Sequence, residues 1–104
     1  MKLSVLGLAV ACLLVAGSAS ASEELAKGKN CMTCHQMDAK AMGPSFKEIA
    51  AKYKDDAEGA ATLKKSILEG SKDKWGGSIP MMAQAQVNEE EAQTLADWIM
   101  GLGE

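Results

Sequence analysis

The chain contains the stretch Cys31-Met32-Thr33-Cys34-His35, in which two thiols lie three positions apart and a histidine follows directly. On a turn or at the start of a helix, two thiols at this spacing can each form a thioether with one of the two vinyl groups of a single porphyrin. The next imidazole is then held beneath the ring, facing its iron. The stretch therefore predicts one covalently attached haem c, with Cys31 and Cys34 as attachment sites and His35 as an axial ligand.

Three other uses of these residues are weaker. A redox-active Cys-x-x-Cys of the thioredoxin type belongs in a βαβ unit, and no such pattern is present. A structural zinc site needs four ligands, whereas the chain after residue 21 offers only Cys31, Cys34 and His35. A disulfide between the two cysteines would close too small a loop to stabilise the fold much.

The composition supports a bound apolar group. The chain has 104 residues, of which only one is Phe, one is Tyr and two are Trp. A single small domain of this size is marginally stable, and large side chains to fill its core are scarce. A haem would complete that core.

The N-terminal residues have the features of a secretory signal peptide. Lys2 precedes a largely apolar run from Leu3 to Ala16, and small residues follow, with an Ala-x-Ala site that ends at Ala21. The apolar run is too short to cross a membrane as an anchor. Cys12 lies in the middle of the run, so cleavage at a lipoprotein site there would divide the apolar region. We predict a signal peptide over residues 1–21, which is cleaved to leave a domain over residues 22–104 in the periplasm, with no membrane anchor.

The remaining residues predict four short helices and no sheet, which is an all-α fold. Ser22 is positioned to cap the first helix, and Ser45 and Glu48 have capping-box spacing at the start of the second. The third helix is expected from about Ala60 to Glu69. The second helix has an apolar stripe at helical spacing: Phe46, Ile49, Ala50 and Tyr53.

The last helix has the clearest signals, with Asn88 as its cap and Glu91 completing a capping box. Its apolar stripe consists of Ala92, Leu95, Ile99 and Leu102. Before it, residues 71–86 contain glycines and Pro80 and show no helical period. A long ordered loop of this kind is usually functional, so we interpret it as a binding loop.

The second axial position cannot be filled by histidine from the same chain, since His35 is the only one. Methionine, lysine, water or an open site remain. Four methionines are poorly placed, because they lie just after the attachment stretch or in the last helix: Met32, Met37, Met42 and Met100. The long loop offers Met81 and Met82 after Pro80, which stiffens the backbone. We favour Met81 as the ligand; the alternatives are Met82, or that both methionines only pack.

The chain resembles the small class I bacterial cytochromes c, and is most similar to the cytochrome c-551/c-552 group. The resemblance is carried by the attachment stretch and by three further segments: Gly43-Pro44, Trp75-Gly76 with Ile79-Pro80-Met81, and residues 91–98 of the last helix. It implies helices packed around one haem, with His35 and Met81 as axial ligands. It also implies that Pro44 offers its carbonyl to the second ring nitrogen of His35, and that Trp75 donates its indole N–H to a haem propionate. One departure is Met82, where the group often has proline.

A haem iron with both axial positions filled favours one-electron exchange over catalysis. The chain has no arginine, and its one histidine is committed, so acid–base assistance to peroxide or oxygen chemistry is hard to assemble. We therefore predict an electron carrier that is not an enzyme. The alternatives are a gas-binding or sensor module with a displaceable methionine and, less favoured, a peroxidase with an open distal site.

The net charge of −3 and the absence of a basic run argue against nucleic-acid binding. The expected partners are redox proteins that act as electron donor and acceptor to a monomer. Four lysines flank the attachment stretch: Lys27, Lys29, Lys40 and Lys47. They could guide docking to an acidic partner or belong to a mixed, solvated surface.

Overall fold

The structure, a computed structural model, describes residues 22–72, 74–75 and 80–103. The predicted signal peptide over residues 1–21 lies outside these residues. Within them the fold is all-α, as predicted, and its only β pairing is an isolated antiparallel bridge between Ser71 and Met81. No helix in the described part of the chain has the length and apolar character needed to cross a bilayer.

Residues 22–28 are helical and are named α1 here. Ser22 is the first described residue of this helix, and the prediction that it caps the helix stays a prediction. Asn30 then adopts a left-handed conformation, with φ of 66°, and leads into a 3₁₀ turn over Cys31–Thr33. Asparagine tolerates this conformation better than most residues. The reversal ends α1 and starts the attachment stretch on a tight turn.

Helix α2 spans Phe46–Tyr53 and begins as its capping residues predict, with the Ser45 hydroxyl accepting a hydrogen bond from the Glu48 backbone N–H. Helix α3 spans Gly59–Glu69, one residue longer at its start than predicted. Gly70 ends it with φ of 84°, a conformation that favours glycine.

Helix α4 spans Glu89–Gly101 and starts with the predicted capping box between Asn88 and Glu91. It packs against both α2 and α3. The predicted apolar stripes supply most of two buried clusters, one centred on α2 and α4 and the other on α3 and α4. Among the described residues, Leu95 is the one large side chain that is fully buried, so the packed core is small.

Candidate functional site

The first wall of the site is the attachment segment, residues 30–46. Its turn is closed by backbone hydrogen bonds from the N–H groups of Cys34 and His35 to the carbonyl of Cys31, at 3.3 and 3.0 Å. The chain then returns on itself, and the N–H of Gly43 donates to the carbonyl of Cys34 at 2.8 Å. These local bonds hold both thiols and the imidazole on one side of the segment.

The ring of His35 is oriented by the residues that return to it. Its Nδ1 lies 2.7 Å from the carbonyl oxygen of Pro44. Because a carbonyl can only accept, Nδ1 carries the proton and donates it, which leaves Nε2 unprotonated in the neutral ring. Gly43 lies against the same ring: a Cβ at this position would come 2.6 Å from His35 Cε1. Only glycine allows this close approach.

Aromatic packing supports the imidazole from behind. The rings of His35 and Phe46 have centroids 5.4 Å apart, and Phe46 packs edge-on against Trp98 at 5.3 Å. Phe46 is the first residue of α2, and Trp98 belongs to α4. The orientation of His35 is thereby coupled to the packing of two helices.

The second wall is the closing segment, residues 71–87. Met81 pairs with Ser71 through two backbone hydrogen bonds, of 2.7 and 3.0 Å. Further along, the Gln84 side chain donates to the carbonyl of Met82 at 2.7 Å, and the Gln84 N–H donates to the carbonyl of Ile67 at 2.9 Å. Both ends of the Met81–Met82 pair are therefore tied down. The predicted loop residues 76–79 lie outside the described residues.

The two walls enclose a cavity of about 340 Å³ whose surface is mostly apolar. It is lined by all six residues that the sequence analysis singles out: Cys31, Cys34, His35, Pro44, Trp75 and Met81. Residues of α2, α3 and α4 line other parts of the cavity. Two thiols that can bond to a porphyrin, and an imidazole and a thioether that can ligate its iron, thus line one apolar cavity, and this set fits a covalently attached haem.

The methionines differ sharply in their positions. Met82 and Met42 are 71% and 63% exposed, and both lie at the cavity. Met42 belongs to the attachment wall, with its sulfur 3.8 Å from Cys34 Sγ. Met81 is half-buried and packs against the α3–α4 cluster, whereas Met100 packs into the other cluster. Met81 is therefore the more buried of the two adjacent methionines that line the cavity with His35.

The thiols have the properties of attachment sites more than of a redox pair. Cys31 and Cys34 are not joined to each other by a disulfide. Burial, as the main cause, raises the pKa of the Cys31 thiol, whereas reactive Cys-x-x-Cys thiols have a lowered pKa. Across the described ranges, no cluster of three His, Cys, Asp or Glu side chains is arranged to hold a metal ion.

Several contacts of the site had no clear signal in the sequence. The packing of Phe46 on His35 was hidden in an ordinary helical stripe, and the pairing of Met81 with Ser71 joins two loop residues with no pattern. Lys52, on α2, places its ammonium 4.2 Å from the ring centroid of Trp75. One feature of the sequence could have indicated that Gly43 lies close to His35, namely its position directly before Pro44.

A small helical domain with two cysteines, one histidine and methionine side chains around an apolar cavity defines a haem-binding protein of the c type. The comparisons with known proteins agree. The sequence profile of the family described as Cytochrome c matches residues 19–103.

Two curated relatives are similar over most of the chain. Cytochrome c-552 of Nitrosomonas europaea is 47% identical over 103 residues, which cover 98% of this chain and 99% of the relative. Cytochrome c-551 of Pseudomonas denitrificans is 49% identical over 83 residues, or 80% of this chain and 99% of the relative. The crystal structure of wild-type N. europaea cytochrome c552 matches with a TM-score of 0.74 and 45% identity, and the match covers 77% of this chain and 98% of that one.

The chain belongs to the cytochrome c family, as a small class I c-type cytochrome. It carries one covalently attached haem c and is an electron-carrier cytochrome. The cavity and its donor set fit that group.

Proposed function

We propose that this protein is a periplasmic one-electron carrier whose haem is ligated by His35 and Met81, and that it shuttles electrons between respiratory redox proteins. The observation that supports the proposal is that His35 and Met81, which come from separate segments of the chain, line one mostly apolar cavity. When bound there, haem iron alternates between the ferric and ferrous states and so holds one electron at a time.

Cys31 and Cys34 are the attachment residues of the proposal. Each thiol adds across one vinyl group, its sulfur bonding to carbon and its hydrogen completing the former double bond. The short turn over Cys31–Thr33 fixes the distance between the two thiols. Because His35 follows within the same hydrogen-bonded turn, the attachment also places the imidazole.

His35 supplies Nε2 as one ligand, and Pro44 fixes its tautomer by accepting the Nδ1 proton at 2.7 Å. A second hydrogen bond of this kind orients a ligating imidazole and raises its basicity. The packing of Phe46 on the ring restricts its rotation. The imidazole thus enters the site already oriented.

Met81 supplies its thioether as the second ligand. A methionine thioether favours the ferrous state and raises the reduction potential. The backbone pairing of Met81 with Ser71 restricts the Met81 side chain, whereas the Met82 side chain is largely exposed. With both axial positions filled by the chain, no position is left for a substrate, so we propose that the protein is not an enzyme.

Export and docking complete the proposal. The predicted signal peptide over residues 1–21 directs the chain to the periplasm, where it works as a monomer without a membrane anchor. Three lysines line the cavity and favour an acidic redox partner: Lys40, Lys72 and Lys74. Trp75 donates its indole N–H to a haem propionate. Nucleic acid is not a partner of this acidic chain.

The test compares two adjacent methionines in the purified holoprotein. Met81→Ala should abolish the weak near-infrared sulfur-to-iron absorption band of the ferric protein, lower the reduction potential and open the ferrous protein to carbon monoxide. Met82→Ala is the matched control and should leave all three nearly unchanged, since its side chain is 71% exposed. Loss of the band in the Met82 variant would move the ligand by one residue. Rapid stoichiometric carbon monoxide binding by the unmodified protein would favour the gas-binding alternative.

A further inference from the structure

Lys52, in the last turn of α2, contacts two successive residues of the closing segment. Its Nζ donates a hydrogen bond to the backbone carbonyl of Lys74 at 2.8 Å, across 22 positions of sequence. The same ammonium lies 4.2 Å from the ring centroid of Trp75. One cation therefore restrains both the backbone that enters Trp75 and the indole itself.

The chemistry of lysine suits both contacts. An ammonium has three donors and no acceptor, so it can bind a carbonyl with one N–H while its charge faces an aromatic ring. A cation within about 6 Å of the ring centroid is attracted by the electrons of the indole face. The position of Lys52 near the C-terminal end of α2 also suits a positive charge, since that end of a helix dipole is negative.

Lys52 is connected to the cavity through the two residues that it contacts, Lys74 and Trp75. Trp75 is half-buried and packs against the α2–α4 cluster. It lines the cavity, and the exposed residues Lys72 and Lys74 line it too. Lys52 is absent from the described residues that line the cavity.

We propose that Lys52 is a positioning residue, which holds the Trp75 indole at the cavity so that its N–H can reach a haem carboxylate. This inference rests on the proposed role of Trp75 and adds the residue that makes the role possible. A merely electrostatic role for Lys52 is the competing explanation. In that case its charge would act on the haem without any change in Trp75.

The first experiment observes the indole directly, by ¹⁵N NMR of the ferrous holoprotein, in which Trp75→Phe assigns the signal of Trp75. Lys52→Met removes the charge and the donor and keeps an unbranched side chain; it should shift or broaden the Trp75 indole signal and leave that of Trp98 in place. Lys52→Arg retains a cation and a donor and should restore the signal. Lys65→Met, at an exposed lysine of α3, makes the same change in charge and should move neither signal.

The second experiment measures the reduction potential of the same proteins. Lys52→Met should lower the reduction potential more than Lys65→Met does. A misplaced indole no longer donates to the haem carboxylate, which then keeps more of its negative charge and stabilises the ferric state. In a protein that already carries Trp75→Phe, Lys52→Met should change the reduction potential only as much as Lys65→Met does. Haem content and circular dichroism confirm that each variant is folded.

Two results would overturn the inference: an unchanged Trp75 indole signal in Lys52→Met, or an equal drop in potential with and without Trp75. The failure of the proposed Trp75 role looks different. In that case Trp75→Phe alone leaves the potential unchanged, while Lys52→Met still displaces the indole signal.

Discussion

The attachment segment and the closing segment form the two walls of the same cavity, but different kinds of contact hold them. The attachment segment is fixed mainly from within, for example by the hydrogen bond from the Gly43 N–H to the Cys34 carbonyl. The closing segment is also paired within itself, through Ser71 and Met81, but it depends in addition on distant parts of the chain. For example, the side chain of Gln86 donates to the carbonyl of Lys29, 57 positions earlier. Local bonds therefore set most of the geometry of the attachment segment, whereas the geometry of the closing segment also depends on contacts with the rest of the fold.

This difference has a consequence for stability. A segment held by a few long-range hydrogen bonds, and exposing residues such as Met82, opens at a lower free energy than one held by local bonds and aromatic packing. We therefore expect the Met81 side of the cavity to open before the His35 side. Variants that damage one wall and spare the other can test that order.

The largest effect should come from the double variant Cys31→Ala/Cys34→Ala, which removes both attachment sites. Covalent haem should be lost, and the chain should become largely unfolded, because the cavity of about 340 Å³ would lack its occupant and the remaining core is small. The pyridine haemochrome spectrum and far-ultraviolet circular dichroism measure the two losses. Thr33→Ala, at an exposed position of the same turn, should change neither. A well-folded, haem-free double variant would contradict the role given to haem in the core.

Gly43→Ala should damage the attachment wall alone. The added Cβ would lie 2.6 Å from His35 Cε1 and 2.9 Å from Nδ1, so the ring or the backbone must move. We expect the free energy of unfolding to fall by about 1–3 kcal/mol, as it does when a core is overpacked. The Nδ1–H signal of His35 in the ferrous protein should also exchange faster with solvent, because its bond to Pro44 is disturbed. Gly28→Ala is the control, with nothing within 4 Å of the added carbon; an unaltered Nδ1–H signal in Gly43→Ala would refute the contact.

Gly70→Ala should damage the closing wall alone. Gly70 has φ of 84° and ψ of 173°, and an added Cβ would lie 2.6 Å from the carbonyl oxygen of Met81. This backbone region costs a residue with a side chain about 1–3 kcal/mol. The near-infrared sulfur-to-iron band should disappear at lower denaturant concentration, while covalent haem content stays constant.

Gly101→Ala, which meets nothing within 4 Å, is the control for Gly70→Ala. If the band of the Gly70 variant instead vanished together with the far-ultraviolet helix signal, the closing segment would not open as a separate unit. The comparison between the two walls would then be wrong.

The same contrast explains what could be predicted from the sequence. Helices α2 and α4 were predicted well because capping signals and apolar spacing are local, and the attachment stretch carries its chemistry in five consecutive residues. The cap at Ser22 stays a prediction, since the residue before it lies outside the described residues. For the second axial ligand, the sequence predicted a methionine of the loop before α4. The choice of Met81 over Met82 rested on Pro80 and the family resemblance.

Contacts between elements could not be predicted in this way. The bridge between Ser71 and Met81 depends on where α3 ends relative to the closing segment. The contact of Lys52 with Trp75 depends on how α2 lies beside residues 74 and 75. No spacing rule encodes such distances, because they result from the packing of helices that are far apart in sequence.

The link between the two walls offers the smallest and most specific test. Lys29, next to the attachment segment, lies 3.2 Å from a carboxylate oxygen of Glu91 and donates to the carbonyl of Gln86 at 3.0 Å. Glu91 in turn accepts the backbone N–H of Asn88 at 3.0 Å. That hydrogen bond, followed by the interactions with Lys29, holds the pKa of Glu91 below its ordinary value of 4.5.

Glu91→Gln should therefore lower stability slightly at neutral pH and make no difference in acid. A carboxyl group whose pKa is lower in the folded state stabilises the fold above the unfolded pKa, and this contribution is lost as pH falls through the folded pKa. Urea unfolding of the ferric holoprotein at about pH 7 and about pH 3 brackets that window. The gap between the unmodified protein and Glu91→Gln should be present at the higher pH and close at the lower one. Glu90→Gln, at an exposed position of the same helical turn, should show no such closing gap. A gap of equal size at both pH values would mean that the charge of Glu91 does not help to join the two walls, and that the capping hydrogen bond alone accounts for its effect.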